Sequence, residues 1–539
     1  MHSEARMNSE PHSIRDTLFF LGAVFSLVWF FFYFTELPDQ FKLKIHHRLG
    51  MQSIDLESNG ESMEEWTGPS LDSMNVATKS PVSDQRDSIG IGLPESLQPP
   101  VGSQGGLKAN LPKPVPRKEW VVASPYDRTE IGNFLPEPMQ LRGRPEAFHS
   151  LSRFFALLDN PIRTPAIHVL HFGDSQIEGD RITGPLRNHW QQIWGGYGPG
   201  YISPLQPIPS TAMRHSWSDH WERKARYGKR DSTLEHKRFG IMAAFARIKN
   251  VSQSNQSDPP AWLAFEPYPR GSDRNNSFSN IQLSMGQSQG PGVINCFWNG
   301  HLIERIEIKE ERLASFVEFR VNEAGKSGES FNQVRLEFEG HVPEVNGIGF
   351  WSDSGIVVHN LAMRGSSGTL FRDLDREQLT RQLQELRTGL IMLQYGGNAV
   401  PYLSDSLAAE RYGRWFSSQI RLFKSLVPGT PIIVIGPSDM ATKDGLHMIT
   451  YPMLNHVRNA LKQAAFEENA LYWDVCEVMG GNGSMAEWAK ATPPLASADH
   501  VHFTNLGAKK IAELFQKTID AEWGLWQNDQ IEKSLSTFP

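Results

Sequence analysis

Cysteine is almost absent: the 539-residue chain holds two, Cys296 and Cys476. Two thiols cannot build a zinc cluster or a disulfide framework, and the simplest reading is a pair of unbridged core thiols. Basic charge is also scarce. Lys and Arg total 53 against 60 Asp and Glu, a formal net charge of −7, with no dense Lys/Arg run. This argues against nucleic acid as the main partner. No internal repeat and no coiled-coil heptad occurs. What remains is ordinary globular composition, 39% hydrophobic and 10% aromatic. The length is too great for one core, so two or three domains joined by linkers are expected.

One long apolar run stands apart. Thr17 to Thr35 (TLFFLGAVFSLVWFFFYFT) is free of charge over about 19 residues, enough to span a bilayer as a helix. It ends without a small-x-small cleavage site, which favours an uncleaved anchor over a signal peptide. Residues 1–16 form a short N-terminal segment before it. Arg6 and Arg15 precede the run, and Lys42, Lys44 and Arg48 follow it. That balance mildly opposes export of the C-terminal part, although long domains cross regardless of such charges. Residues 36–118 are rich in Ser, Gly, Pro and acidic side chains. They carry too little apolar surface to fold and read as a tether.

Order resumes with a helical pattern over Pro145 to Leu158. The apolar run Ile167 to Phe172 follows, then a helix over Leu186 to Trp194. Further strand-length runs lie at Gly355–Leu361, Leu390–Gln394, Pro431–Ile435 and Ala470–Val475. Helical periods separate most of them, at Arg372–Leu386, Leu407–Leu426 and Leu454–Phe466. Alternation of this kind predicts an α/β fold, a doubly wound parallel sheet with helices on both faces. The expected domain is discontinuous, covering 119–201 and 350–525, with a tail at 526–539. Residues 202–349 change rhythm: Phe316–Val321 and Val334–Phe338 alternate with period two, predicting an inserted antiparallel β-sandwich. It carries Trp217, Trp221, Trp262 and Trp298, with Trp351 just beyond. Most are expected in the core, and one or two exposed rings would suffice to stack on sugars.

Four short motifs hold candidate chemistry. Gly173-Asp174-Ser175 ends the first strand, where a sharp turn can lift a serine hydroxyl off the sheet edge. A serine needs a base. Ala498-Asp-His-Val-His-Phe-Thr504 offers His502, with Asp499 three residues earlier to hold its tautomer; His500 is the less favoured base. Gln394-Tyr-Gly-Gly-Asn398 follows another strand and offers an amide to an oxyanion. Asn360-Leu-Ala-Met-Arg-Gly365-Ser-Ser-Gly368 follows a further strand and offers the Gly365 N–H. Each alone is an ordinary turn.

Together, in the chain order Ser175, Gly365, Asn398 and Asp499/His502, they resemble the SGNH hydrolases, also called the GDSL family. The resemblance implies Ser175 as nucleophile, Asp499 and His502 as its partners, and Ser175, Gly365 and Asn398 as oxyanion donors. It requires no metal and no cofactor. Gln176 departs from the leucine of the founding signature. The insertion, the GSSG turn and Gly480-Gly-Asn-Gly-Ser-Met485 resemble bacterial peptidoglycan O-acetylesterases, whose insert is a carbohydrate-binding-like β-domain. The implied function is removal of O-acetyl groups from a cell-envelope polysaccharide such as peptidoglycan. The implied setting is a single-pass protein of the bacterial inner membrane with its catalytic domain in the periplasm. Two alternatives stand beside it: an O-acetyltransferase working with a membrane-bound O-acyltransferase, and a non-catalytic polysaccharide-binding protein.

Overall fold

The computed structural model describes residues 126–160, 165–228, 234–249, 260–269, 271–311, 313–321 and 330–536. The apolar run at 17–35 and the tether at 36–118 lie outside these residues. Among the described residues, no helix is long and apolar enough to cross a membrane.

Five parallel strands form the central sheet: β1 (Ile167–Gly173), β2 (Ile356–Ala362), β3 (Thr388–Gln394), β4 (Ile432–Ile435) and β5 (Leu471–Trp473). Their order is β2-β1-β3-β4-β5. β1, β4 and β5 are buried at every position, as expected of strands covered on both faces. Their period of two sorts side chains between two cores. Leu170, Phe172, Ile391, Leu393 and Val434 face one side. There they meet Leu379 and Leu383 of α3 (Arg376–Glu385), Phe416 and Phe423 of α4 (Ser406–Leu426), and Val457 of α5 (Leu454–Glu467). Val169, Leu390, Met392 and Ile433 face the other side. There they pack with Phe154 of α1 (Pro145–Asp159), Trp190 of α2 (Thr183–Trp194) and Phe515 of α6 (Asn505–Ser536). The expected doubly wound, three-layer sheet is present.

Helix boundaries differ from expectation at three places. α2 starts at Thr183, three residues before the expected Leu186. α3 starts at Arg376 because the Asp375 side chain accepts the Gln378 N–H and caps it there. α6 runs on to Ser536, through most of the stretch expected as a tail. Leu525 and Trp526 are buried beyond the interrupting Gly524, and the Trp526 indole donates to Ser152 Oγ at 2.9 Å.

Between α2 and β2 the chain forms two antiparallel sheets. One holds Asn280–Met285, Ser315–Arg320 and Val345–Trp351; the other holds Ala261–Glu266, Gly292–Trp298 and Val334–Gly340, among further strands. Their inner faces share a core of Leu263, Phe265, Ile294 and Leu336 with Ile281, Leu283, Val345 and Ile348. This is a β-sandwich. Its strands Gly200–Ile202 and Val345–Trp351 reach slightly past the expected bounds of 202–349. Trp221, Trp298 and Trp351 are buried, Trp262 lies half-buried under Arg335, and Trp217 is exposed. Cys296 and Cys476 are buried and unbridged.

Candidate active site

Strand register explains why distant motifs converge. Gly173, the last residue of β1, lies level with Ala362 of β2 and Gln394 of β3. The loops leaving these three strands therefore emerge side by side at the C-terminal edge of the sheet, where doubly wound folds place their sites. The first loop carries Ser175, the second Gly365 and the third Asn398.

The fourth motif arrives from the turn before α6. Ser175 Oγ lies 2.9 Å from His502 Nε2, and His502 Nδ1 lies 2.7 Å from Asp499 Oδ2. Since a carboxylate can only accept, His502 holds its proton on Nδ1 and presents Nε2 as an acceptor for the serine hydroxyl. Asp499 Oδ1 accepts the backbone N–H groups of Val501 and His502 at 2.9 and 3.0 Å. Burial works against ionisation of Asp499, but the His502 ring and these N–H groups outweigh it and hold its pKa at about 2. His500 takes no part: it sits in the left-handed region at φ 55°, and its carbonyl accepts the Ala441 N–H.

The amide of Asn398 is already engaged. Its Nδ2 donates to Asp174 Oδ2 at 3.0 Å and to the Ser366 carbonyl at 3.2 Å, so one amide joins the first three motifs. Asp174 also accepts the Gln176 N–H at 2.9 Å. Burial dominates its titration and pushes its pKa up to about 6, against the pull of these donors. Gly365 turns the second loop at φ 77°, where an added Cβ would meet nothing within 4 Å. Backbone conformation, not crowding, is what a side chain there would disturb. The segment Gly480–Met485 is held elsewhere, opening the helix Ser484–Lys490, with the Met485 N–H on Asp439 Oδ2.

Residues beyond the four motifs complete the site. Gln176, read from sequence as a departure, donates to the Val501 carbonyl at 2.7 Å and to Ser438 Oγ at 3.2 Å. Arg181 donates to the carbonyls of Ser175, Phe503 and Glu178 at 2.7, 2.9 and 3.0 Å. Glu178 accepts from Arg364, the residue before Gly365, at 2.6 Å. Sequence offered one faint signal for these, the charged run Glu178-Gly-Asp-Arg181 directly after the serine. Among the described residues, no group of three or more His, Cys, Asp and Glu is placed to hold a metal ion.

A parallel sheet bearing a serine, a glycine, an asparagine and an Asp-x-x-His pair on adjoining loops is a doubly wound α/β fold with the arrangement that the resemblance to SGNH/GDSL hydrolases implies. Comparison with solved structures gives the same fold: a peptidoglycan O-acetylesterase matches with a TM-score of 0.53 at 18% identity, over 70% of this chain and 96% of that one. A GDSL-like lipase from Parabacteroides merdae matches at TM-score 0.22 and 17% identity, over 31% of this chain and 74% of that one. The acetyl xylan esterase AlAXEase matches at 0.22 and 14%, over 30% and 79%. No protein-family model matches the chain, and no curated protein does.

Proposed function

We propose that this protein is a serine esterase that removes O-acetyl groups from a cell-envelope polysaccharide, with peptidoglycan the first candidate. The observation that carries the reading is the continuous relay Ser175–His502–Asp499, at 2.9 and 2.7 Å. Ser175 Oγ attacks the acetyl carbonyl carbon while His502 Nε2 takes the hydroxyl proton. The carbonyl electrons move onto oxygen, which the N–H groups of Ser175 and Gly365 and the Asn398 amide receive. Collapse breaks the bond to the sugar oxygen, and His502 returns its proton to that oxygen. Water, deprotonated by His502, then attacks the acetyl-enzyme; collapse breaks the bond between Ser175 Oγ and the acyl carbon, His502 returns the proton to Oγ, and acetate leaves. Asn398 joins by turning its N–H from the Ser366 carbonyl towards the new oxyanion.

The polysaccharide assignment draws support from the fold shared with a peptidoglycan O-acetylesterase and from the sandwich inserted beside the site. In this reading the sandwich is a carbohydrate-binding module and Trp217 its exposed ring. The run at 17–35 is the membrane anchor, and 36–118 lets a periplasmic catalytic unit sweep nearby polymer.

The test is acetate release from O-acetylated peptidoglycan by the wild-type chain and by Ser175→Ala, with a fluorophosphonate probe as a second readout. The expected result is release and labelling that both vanish in the variant. Equal release by Ser175→Ala would sink the proposal. Transfer of labelled acetyl to a glycan acceptor, with no free acetate, would make the protein an acetyltransferase.

A further inference from the structure

Asp499 and His502 lie on one short turn, so their mutual geometry is local. Nothing within that pair locates the turn against the loop after β1 that carries Ser175. The Ser175–His502 hydrogen bond is a single contact, and it must break and reform as the proton moves. The turn needs some other device to hold its register against the serine.

Two side chains of the nucleophile loop grip the residues on either side of His502. Gln176 donates to the Val501 carbonyl at 2.7 Å and receives the Phe503 N–H at 3.4 Å. Arg181 reaches the Phe503 carbonyl at 2.9 Å while a second arm holds the Ser175 carbonyl at 2.7 Å. Its Nε takes the Glu178 carbonyl at 3.0 Å. The guanidinium fork thus addresses three different carbonyls, on both sides of the gap that the proton crosses. A lysine, with its donors on one nitrogen, could not span them. Burial disfavours the charge of Arg181, and its pKa is lowered accordingly, with Glu178 and Asp499 pulling the other way. A half-buried cation bonded to main-chain oxygens is a costly way to join two loops unless their spacing matters.

We propose that Gln176 and Arg181 are positioning residues that set the distance between Ser175 and His502. The inference rests on the reading of Ser175 as nucleophile. Misplacing a catalytic group by roughly 1 Å costs on the order of 100-fold in rate, so these two side chains govern kcat without touching substrate.

The experiment uses the full chain and two substrates, 4-nitrophenyl acetate and O-acetylated peptidoglycan. Arg181→Ala is expected to lower kcat about 100-fold on both, with KM changed less than about 3-fold, because no substrate contact is lost. Guanidinium chloride at low millimolar concentration, far below denaturing levels, is expected to restore much of the loss. Arg181→Lys is expected to fall between wild type and Arg181→Ala. A merely structural role predicts a reduced folded fraction, normal kcat per fluorophosphonate-reactive molecule, and no rescue; that result overturns the proposal. If Arg181→Ala does not fold, Gln176→Leu carries the test, with the same split between kcat and KM expected and an unchanged kcat refuting. Ser175→Ala separates the two levels of argument. Activity surviving in Ser175→Ala overturns the functional reading itself. A dead Ser175→Ala beside a normal Arg181→Ala overturns only the positioning role.

Discussion

Three histidines buried in the α/β unit should make the fold acid-sensitive well above the range where carboxylates protonate. The Tyr201 N–H donates to His359 Nδ1 at 3.0 Å, so His359 carries its proton on Nε2, 2.8 Å from His168 Nδ1. His171 sits between Thr183 Oγ1 and Gln394 Oε1, each at 3.0 Å. All three are held neutral, chiefly by burial. His168 is lowered to about 3 and His171 to about 4, and His359 also lies well below 6.5. The unfolded chain binds protons below pH 6.5 that these folded rings refuse. Stability is therefore complete above that pH and is lost as pH falls towards 3 or 4. Between pH 7.5 and 5.0, His168 and His171 each remove about 2 kcal/mol. Asp174, raised to about 6 by burial, has the opposite sign and returns roughly 1 kcal/mol over the same interval. Counting these three groups, unfolding at pH 5.0 should be easier by about 3 kcal/mol, and His359 adds to the loss. Urea unfolding followed by tryptophan fluorescence at pH 7.5, 6.5, 5.5 and 5.0 measures it. A free energy of unfolding that stays level or rises towards pH 5.0 would refute the reasoning.

Other expectations concern catalysis and binding. Asn398→Ala should lower kcat about 100- to 1,000-fold with little change in KM, read by steady-state acetate release. Asp499→Asn should cost on the order of 10,000-fold in kcat at neutral pH, because the amide can donate to His502 and invert its tautomer; a loss below tenfold would contradict the relay. Gly365→Ala meets no neighbour, so its cost should be the backbone strain of a positive φ, about 1–2 kcal/mol in thermal unfolding. Trp217→Ala should weaken retention on insoluble peptidoglycan in a pull-down while leaving 4-nitrophenyl acetate hydrolysis unchanged.

Much of the candidate site's geometry was legible because its elements are local. Asp499 and His502 are three residues apart, and each remaining motif sits directly after an apolar run whose length marks a buried strand. The rest acts through contacts that spacing cannot reveal. Arg181 and Phe503 are far apart in sequence and meet through a main-chain carbonyl, which carries no residue-type signature. The run Ile167–Phe172 looked simply apolar, yet its two histidines are core members, hidden because each ring finds a neutral partner from another element. Most of the tail expected at 526–539 is helix instead, because the apolar stripe that Gly524 interrupts resumes at Leu525 and Trp526.

The position of the sandwich in the chain bears on how the protein is made. β1 pairs with β2 and β3, and both are synthesised after the whole insert. As the polypeptide leaves the ribosome, the strand leading to Ser175 has no sheet partner until both layers of the sandwich have emerged. During that wait its apolar backbone edge is an open template for pairing with other chains. Folding of the insert brings Trp351, at the end of its last strand, to Tyr201 and delivers β2 to the waiting edge. The sandwich thus closes the loop between β1 and β2, and chain order makes the first strand of the central sheet wait for it.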